Sequence, residues 1–269
     1  MGGSFSRQVD LSVIIPTLNE EGHIDRSIRS TRDALSEPCR RVEVIVVDAG
    51  STDDTVAVAK RNGARVISCS RGRGLQQDLG SRSARGEFLL FLHADSELPS
   101  DYDSMLYGSL SDPTNRARDK KALWGAFKGL SYEGGGESEG ALLRVVEAGV
   151  QMRTKLFGLP YGDQCFFFHR DAYRESGGFR HIPLMEDYDI VLRQKRRQLP
   201  PLLLDAHVKT SSRRFAKRGV WGTVVTNQAI LCMWHMGVAP DVLSQVYYGG
   251  SGRADRGTGR EKILTSRDL

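Results

Sequence analysis

"RVEVIVVDAGSTDD" (residues 41–54) decides the reading of the fold. It starts as a β-branched apolar run and ends in Asp48, a glycine and a Ser-Thr pair set before Asp53 and Asp54. Branched side chains fit a pleated surface, and a run without polar alternation marks a strand covered on both faces. Ser51 and Thr52 then cap a helix start, with acids where the helix dipole favours negative charge. A buried strand that turns straight into a helix is one unit of a parallel α/β sheet.

The unit recurs on either side. "LSVIIP" (11–16) is a continuous apolar run closed by Pro16, and a polar, helix-compatible stretch follows from Glu20 to about Ser36. "ARVISC" (64–69) is a third strand, followed by a helix to about Arg85, and "EFLLFLHAD" (87–95) is the fourth. The expected fold is therefore α/β, a Rossmann-like, mostly parallel sheet with helices on both faces. Regularity falls after Pro113. "ALWGAFKGL" (122–130) and "CFFFHR" (165–170) read as strands, Ala141–Phe157 and "MEDYDIVLRQKRR" (185–197) as helices. "YEGGGESEG" (132–140) reads as a loop or lid hinge, and the glycine-rich charged stretch from Gly249 as a disordered tail.

Composition narrows the class. The chain has 269 residues, is 39% hydrophobic and 26% charged, and carries a net charge of +5, as an ordinary globular protein does. Its basic residues are dispersed, with no aromatic-interleaved stripe, which argues against nucleic acid as a partner. The modest positive charge suits phosphate-bearing substrates or an anionic membrane. The 4 cysteines form no CxxC pair and read as reduced thiols of a cytosolic-type compartment. "MGGSFS" fits the N-myristoylation pattern through Gly2 and Ser6. The stretch 220–238, "VWGTVVTNQAILCMWHMGV", has no charge but holds Asn227, Gln228 and His235. It reads as a buried or half-buried helix; with basic "RRFAKR" before it, an interfacial membrane helix is the alternative.

Ligands of open α/β sheets bind beyond the carboxyl ends of the strands. Those ends carry Pro16-Thr17-Leu18-Asn19-Glu20, Asp48-Ala49-Gly50-Ser51 and His93-Ala94-Asp95. "RGRGLQQDLG" (71–80) starts like a dinucleotide fingerprint but lacks its third glycine and precedes the wrong strand, which rules out a nicotinamide site.

In this order and spacing, "IIPTLNEE", "IVVDAGSTDDT" and "FLHAD" resemble the nucleotide-binding half of inverting family 2 glycosyltransferases with the GT-A fold. "GLPYGDQCFFFHRDAYRESGGF" and "IPLMEDYDIVLR" carry the likeness into the acceptor half, and "SSRRF" is similar to an Arg-Arg-aromatic element near the end of such domains. The resemblance spans about residues 11–248, split into a nucleotide-binding half (11–112) and an acceptor half (113–248), after an N-terminal extension (1–10). His-Ala-Asp in place of Asp-x-Asp is similar to the radical-SAM/selenodomain-associated, arsenosugar-biosynthesis-type subgroup.

The resemblance implies a role for each matching residue. Asp48 would accept a hydrogen bond from a uracil ring, with Pro16, Thr17, Asn19 and Glu20 lining the base and ribose pocket; Glu20 capping the next helix is the alternative. Arg73 and Gln76 would run past the donor diphosphate. Asp95 would hold Mg²⁺ or Mn²⁺, whose remaining ligands come from diphosphate and water. His93 and Ala94 would lie beside the donor, with His93 alternatively on the metal or merely packed. Asp187 would be the base that deprotonates the acceptor, Glu186 the fallback base or an acceptor contact. Asp163 and Gln164 would touch the acceptor or organise their loop, and one of Arg213 and Arg214 would meet the leaving phosphate. The expectation is an inverting, metal-dependent transferase on the cytoplasmic side, using a nucleotide-sugar donor, UDP before GDP. The acceptor would be a small molecule or a lipid, and peripheral membrane contact would follow from a lipid. A sugar-phosphate nucleotidyltransferase and a non-catalytic nucleotide-sugar-binding protein are the rivals. The acids of "TLNEEG" would repel a triphosphate, and the retained base, metal carboxylate and arginines argue for catalysis.

Overall fold

A computed structural model describes residues 9–249 except 38–39, 113–114, 116–118 and 134–136. Gly2, most of the N-terminal extension, the tail beyond Gly249 and the centre of the glycine-rich loop lie outside the described residues.

The first half is built as its sequence directs. Strands β1 (Leu11–Thr17), β2 (Val42–Asp48), β3 (Arg65–Ser68) and β4 (Phe88–Phe91) are mutually parallel, separated by helices α1 (Ile24–Asp33), α2 (Thr55–Arg61) and α3 (Arg73–Ser83). Alternate residues of one strand face opposite sides. Val13, Ile15, Val44, Val46 and Leu90 pack on one face with Ile24 and Ile28 of α1. Ile14, Ile45, Val47, Leu89 and Phe91 fill the other. Both faces are buried along β1, β4 and most of β2, which is why these strands show no polar alternation, while β3 at the sheet edge is partly exposed. Helix α3 lies close on the second face through Gly80: a Cβ there would sit 2.5 Å from Ile14 Cγ2.

A short β5 (Ser96–Glu97) and α4 (Tyr102–Ser111) follow. The second half supplies β6 (Trp124–Glu133), α5 (Glu137–Phe157), β7 (Phe166–His169), α6 (Arg170–Glu175), α7 (Glu186–Arg196), β8 (Leu202–Ser211), α8 (Arg213–Arg218), α9 (Val220–His235) and α10 (Pro240–Tyr248). The eight strands form one sheet in the order β3-β2-β1-β4-β7-β6-β8-β5. It is α/β, parallel through the first four strands and mixed thereafter: β7 runs antiparallel to β4 and β6, and β5 antiparallel to β8.

Three details differ from the sequence expectation. Strand β4 stops at Phe91, opposite Ile14, rather than running to Asp95. Residues 92–95 cross the carboxyl end of the sheet so that β5 can pair with β8, at Ser96↔Thr210. Strand β8 escapes a reading by period: a register shift interrupts its pairing with β6, and Asp205 and Lys209 break its apolar pattern. Helix α5 begins at Glu137, inside the stretch expected to be a loop to residue 140.

Candidate active site

The crossing of residues 92–95 sets the site. It carries His93 and Asp95 over the ends of β1 and β4, and β5–β8 pairing brings Arg213, at the start of α8, beside them. One cavity then collects Arg73, His93, Asp95, Asp163, Asp187, Arg213 and Arg214. These groups come from both halves of the chain.

Asp187 lies in the first turn of α7, which the chain enters through Met185 in the left-handed region, at φ 71°. A residue with a side chain holds that conformation at a cost of about 1–3 kcal/mol, so the surroundings must enforce it. Met185 is packed among Leu184, Tyr188, Ile230 and Leu243. Asp187 Oδ2 accepts the Gly162 N–H at 3.1 Å, and Oδ1 accepts the Tyr188 N–H at 2.8 Å. A Cβ on Gly162 would lie 3.1 Å from Asp187 Cβ and 3.4 Å from His93 Nε2. Glycine therefore keeps open the space between imidazole and carboxylate.

The charges around this space are arranged by burial. Glu186, only 1% exposed, is paired with Arg73. Burial would lower the Arg73 guanidinium, but Glu186 and Asp187 outweigh it and hold the group protonated above its ordinary value. Burial, then the Arg73 charge, push His93 down to about 4, so its ring is neutral near pH 7. Burial raises the Asp163 carboxyl, and its Oδ1 has no hydrogen-bond partner among the described residues. A buried acceptor atom left unpaired on a cavity wall is a place for a ligand hydroxyl.

Asp95 has a partner in place: Arg213 Nη2 lies 3.1 Å from its Oδ2. The same guanidinium holds Glu20 with two hydrogen bonds, and that pairing raises Arg213 above its ordinary value. Arg213 thus bridges the end of β1 to the crossing segment. Arg214 lines the cavity with its guanidinium 6.0 Å from the Tyr247 ring centroid.

Among the described residues no cluster of three His, Cys, Asp or Glu is placed to hold a metal. A divalent cation takes about six oxygens. One carboxylate at Asp95 and a neutral His93 fit a cation that brings its other ligands as diphosphate and water, once Arg213 gives up Asp95.

The remaining candidates separate into groups. Pro16, Thr17, Asn19, Glu20 and Asp48 form a second, adjoining rim at the ends of β1 and β2. Asp48 is 3% exposed and accepts the Gly50 and Ser51 N–H groups at 3.0 Å each. Glu20 binds Arg213 and does not cap α1, whose N-cap is His23. Three residues expected at the ligand are instead turned into the structure. Gln76 donates to the Thr17 and Val47 carbonyls at 2.9 and 2.8 Å, and Ala94 is buried with its carbonyl bound by Ser27 Oγ. Gln164, fully buried, donates to Phe127 O at 2.9 Å and accepts from Arg153 and the Tyr161 N–H. The amide of Gln164 organises its loop; it is not on the cavity wall. Glu186 likewise positions Arg73 rather than facing the cavity. Asp189 points away, to Arg193 and Arg180.

Sequence reading missed the apolar wall. Tyr132, Tyr161, Leu184, Met185, Tyr188, Ile230, Leu231 and Tyr247 line the same cavity as the charged groups. Tyr161 and Tyr188 lie inside the motifs "LPYGDQ" and "MEDYD", the signal that was available.

Residues 12–117 match the family Glycosyl transferase family 2. A dolichyl-phosphate beta-glucosyltransferase of Drosophila melanogaster is 39% identical over 116 residues, 37% of this chain and 35% of that protein. An undecaprenyl-phosphate 4-deoxy-4-formamido-L-arabinose transferase of Pseudomonas aeruginosa is 33% identical over 102 residues, 35% of this chain and 30% of that protein. The chain thus matches about a third of the length of these relatives. The S. aureus TarS 1–349 structure in complex with UDP-GlcNAc has the same fold, with a TM-score of 0.56 at 18% identity, over 76% of this chain and 59% of that one. The matched segment is that of Glycosyl transferase family 2, and the solved structures share a GT-A-like α/β fold with this chain.

Proposed function

We propose that the protein is a metal-dependent, inverting glycosyltransferase that moves a sugar from a nucleotide donor, a uridine diphosphate sugar before others, to a hydroxyl acceptor. The observation that carries this reading is the single cavity joining Asp95 of the first half of the chain to Asp163, Asp187, Arg213 and Arg214 of the second. UDP-GlcNAc in the TarS complex supports the donor class, and the lipid-phosphate names of the relatives support a lipid-borne acceptor. The His-Ala-Asp triplet supports the radical-SAM/selenodomain-associated subgroup.

In this reading Asp48, Pro16, Thr17, Asn19 and Glu20 seat the nucleoside, and Asp95 places the diphosphate. A bound divalent cation would supply neutralisation of the developing diphosphate charge. Arg213, released from Asp95, and Arg214 bind phosphate oxygens in the same sense, while Glu186 fixes Arg73 beside them. The acceptor oxygen attacks the anomeric carbon from the face opposite the diphosphate. The new C–O bond forms as the bond to the β-phosphate oxygen breaks, the electron pair leaves on the diphosphate, and the acceptor proton passes to Asp187. Asp163 accepts a second hydroxyl of the acceptor and orients it. Neutral His93 fills the space beside Asp187 without adding a charge.

The test is calorimetry and turnover with a panel of nucleotide sugars plus Mg²⁺ or Mn²⁺. Asp95→Ala is expected to abolish cation-dependent donor binding, and Asp187→Asn to spare binding while removing turnover. Donor hydrolysis unchanged in both variants would falsify the catalytic assignment.

A further inference from the structure

Helices α5, α9 and α10 of the second half expose large apolar side chains. On α9, Trp221 and Val225 are 65% and 64% exposed, and Met236, just past its C-terminus, is 73% exposed. With exposed Cys232 they form one stripe, at helical spacing, along the outer face. On α5, Val145, Met152, Leu156 and Phe157 are all more than half exposed. The two helices adjoin through Leu142, Leu143 and Val146 packed on Phe215 and Val220. A helix facing water normally carries charge on its outer side, yet residues 219–240 hold no Asp, Glu, Lys or Arg.

The polar groups on this face choose its partner. Arg144 and Lys155 flank the α5 stripe, and Arg218 is exposed on α8 next to α9. Among the described side chains of these helices and α10, the exposed acid is Asp241; Glu147 is half-buried and accepts the Tyr132 N–H. Two copies of the chain set face to face would oppose like charges, whereas anionic headgroups complement them. No helix of the described residues is long and apolar enough to cross a membrane, so the face would lie on a bilayer. The inner side of α9, through Thr223, Asn227 and Ile230, is a wall of the cavity.

We propose that the outer faces of α5, α8 and α9 dock on an anionic lipid bilayer, with the cavity mouth at the headgroup level. This placement lets an acceptor carried in the bilayer reach Asp187 along the apolar wall. Docking is a property of the surface and does not depend on the transfer reaction.

The test mixes the full chain, without donor, with phosphatidylcholine vesicles prepared with and without phosphatidylglycerol. The protein is expected to co-sediment with the anionic vesicles, with a blue shift of the Trp221 emission that Trp221→Phe removes. The double variant Met152→Asp/Val225→Asp is expected to stay in the supernatant while keeping the native thermal transition. Lys155→Gln and Arg144→Gln should each weaken binding about fivefold, less at high salt. Native protein that ignores anionic vesicles overturns the proposal, as does a double variant that binds them equally. A concentration-dependent dimer abolished by the double variant, with no vesicle binding, would give the face to a second copy instead. Because no donor is present, either outcome leaves the glycosyltransferase reading to its own test.

Discussion

The two halves of the sheet hold their ligand-facing residues by different means. On the donor side the loops are stitched to each other: Asn19 Oδ1 accepts the Thr52 N–H at 2.9 Å, the Glu20 N–H reaches Thr55 Oγ1 at 2.7 Å, and Glu21 Oε2 accepts the Asp54 N–H at 2.9 Å. Gln76 clamps the ends of β1 and β2 from below. On the acceptor side the wall is packed rather than stitched, from Leu184, Tyr188, Ile230 and their neighbours, and the helices behind it expose apolar faces. A hydrogen-bonded rim has its shape before the ligand arrives, which suits a donor with fixed polar groups. An apolar wall accepts variable shape and leaves the reacting groups as its few polar marks.

The comparison breaks first at Asp187, a donor-independent group if the division is right. Asp187→Asn should lower kcat by about 10²–10⁴-fold at unchanged donor affinity, as loss of a general base does. Asp95→Ala should weaken donor binding as well as turnover, and chelating divalent ions should weaken donor binding to the native protein but not to that variant. An acceptor whose reacting oxygen is already ionised, such as a phosphate, needs no base. A loss of less than about tenfold in Asp187→Asn would point to that acceptor chemistry.

A stability measurement sharpens the donor side. Asp103 on α4 is fully buried, and Arg40 Nε lies 3.0 Å from it. Burial alone would raise its carboxyl; hydrogen bonds from the Ser36 N–H and hydroxyl, then Arg40 and the Glu37 N–H, outweigh burial and hold it below the ordinary carboxylate range. Asp103→Ala strands the Arg40 charge and should cost about 3 kcal/mol in denaturant unfolding at pH 7. A carboxyl lowered in the folded state stabilises above its unfolded pKa, about 4, and loses that contribution as pH falls through the folded value. The gap between native protein and Asp103→Asn should therefore be full at pH 6 and shrink as the solution is acidified below pH 4. A gap that widens on acidification would contradict the bonding described for Asp103.

The donor half was legible because a strand buried on both faces writes itself as an unbroken apolar run, and each run here ends in the polar residues of the rim. In the acceptor half the strands at 122–130 and 165–170 and the helices at 141–157 and 185–197 were legible, and motifs marked Asp163 and Asp187. Strand β8 alternates irregularly across its register shift, so no single period reports it. The resemblance placed Gln76 beside the donor diphosphate, Gln164 at the acceptor or as an organiser of its loop, and Glu186 as a fallback base or acceptor contact. Only the fold shows that two of them hold carbonyls, and that the third holds Arg73. Tyr161 and Tyr188 look like core residues in sequence, since an aromatic ring fills a core or a cavity wall equally well.

Gly162 tests how tightly the cavity is drawn around Asp187, the proposed base. Gly162→Ala would place a methyl 3.1 Å from Asp187 Cβ and 3.4 Å from His93 Nε2, so one of them must shift by a few tenths of an ångström. Misplacing a base by that much should lower kcat about tenfold while leaving donor affinity and the thermal midpoint nearly unchanged. An equal fall in donor affinity would mean that the space beside Asp187 belongs to the donor.

The smallest effect is expected where packing is absent. Val225→Asp adds a charge to an exposed position of α9 and should alter unfolding free energy by no more than about 0.5 kcal/mol. The same charge change is opposite in sense to Asp103→Ala, which removes a carboxylate from a buried pair. If Val225→Asp destabilises the lipid-free protein by more than about 2 kcal/mol, the outer face of α9 is covered within the protein itself, and the contrast between a stitched donor side and an open acceptor side fails there.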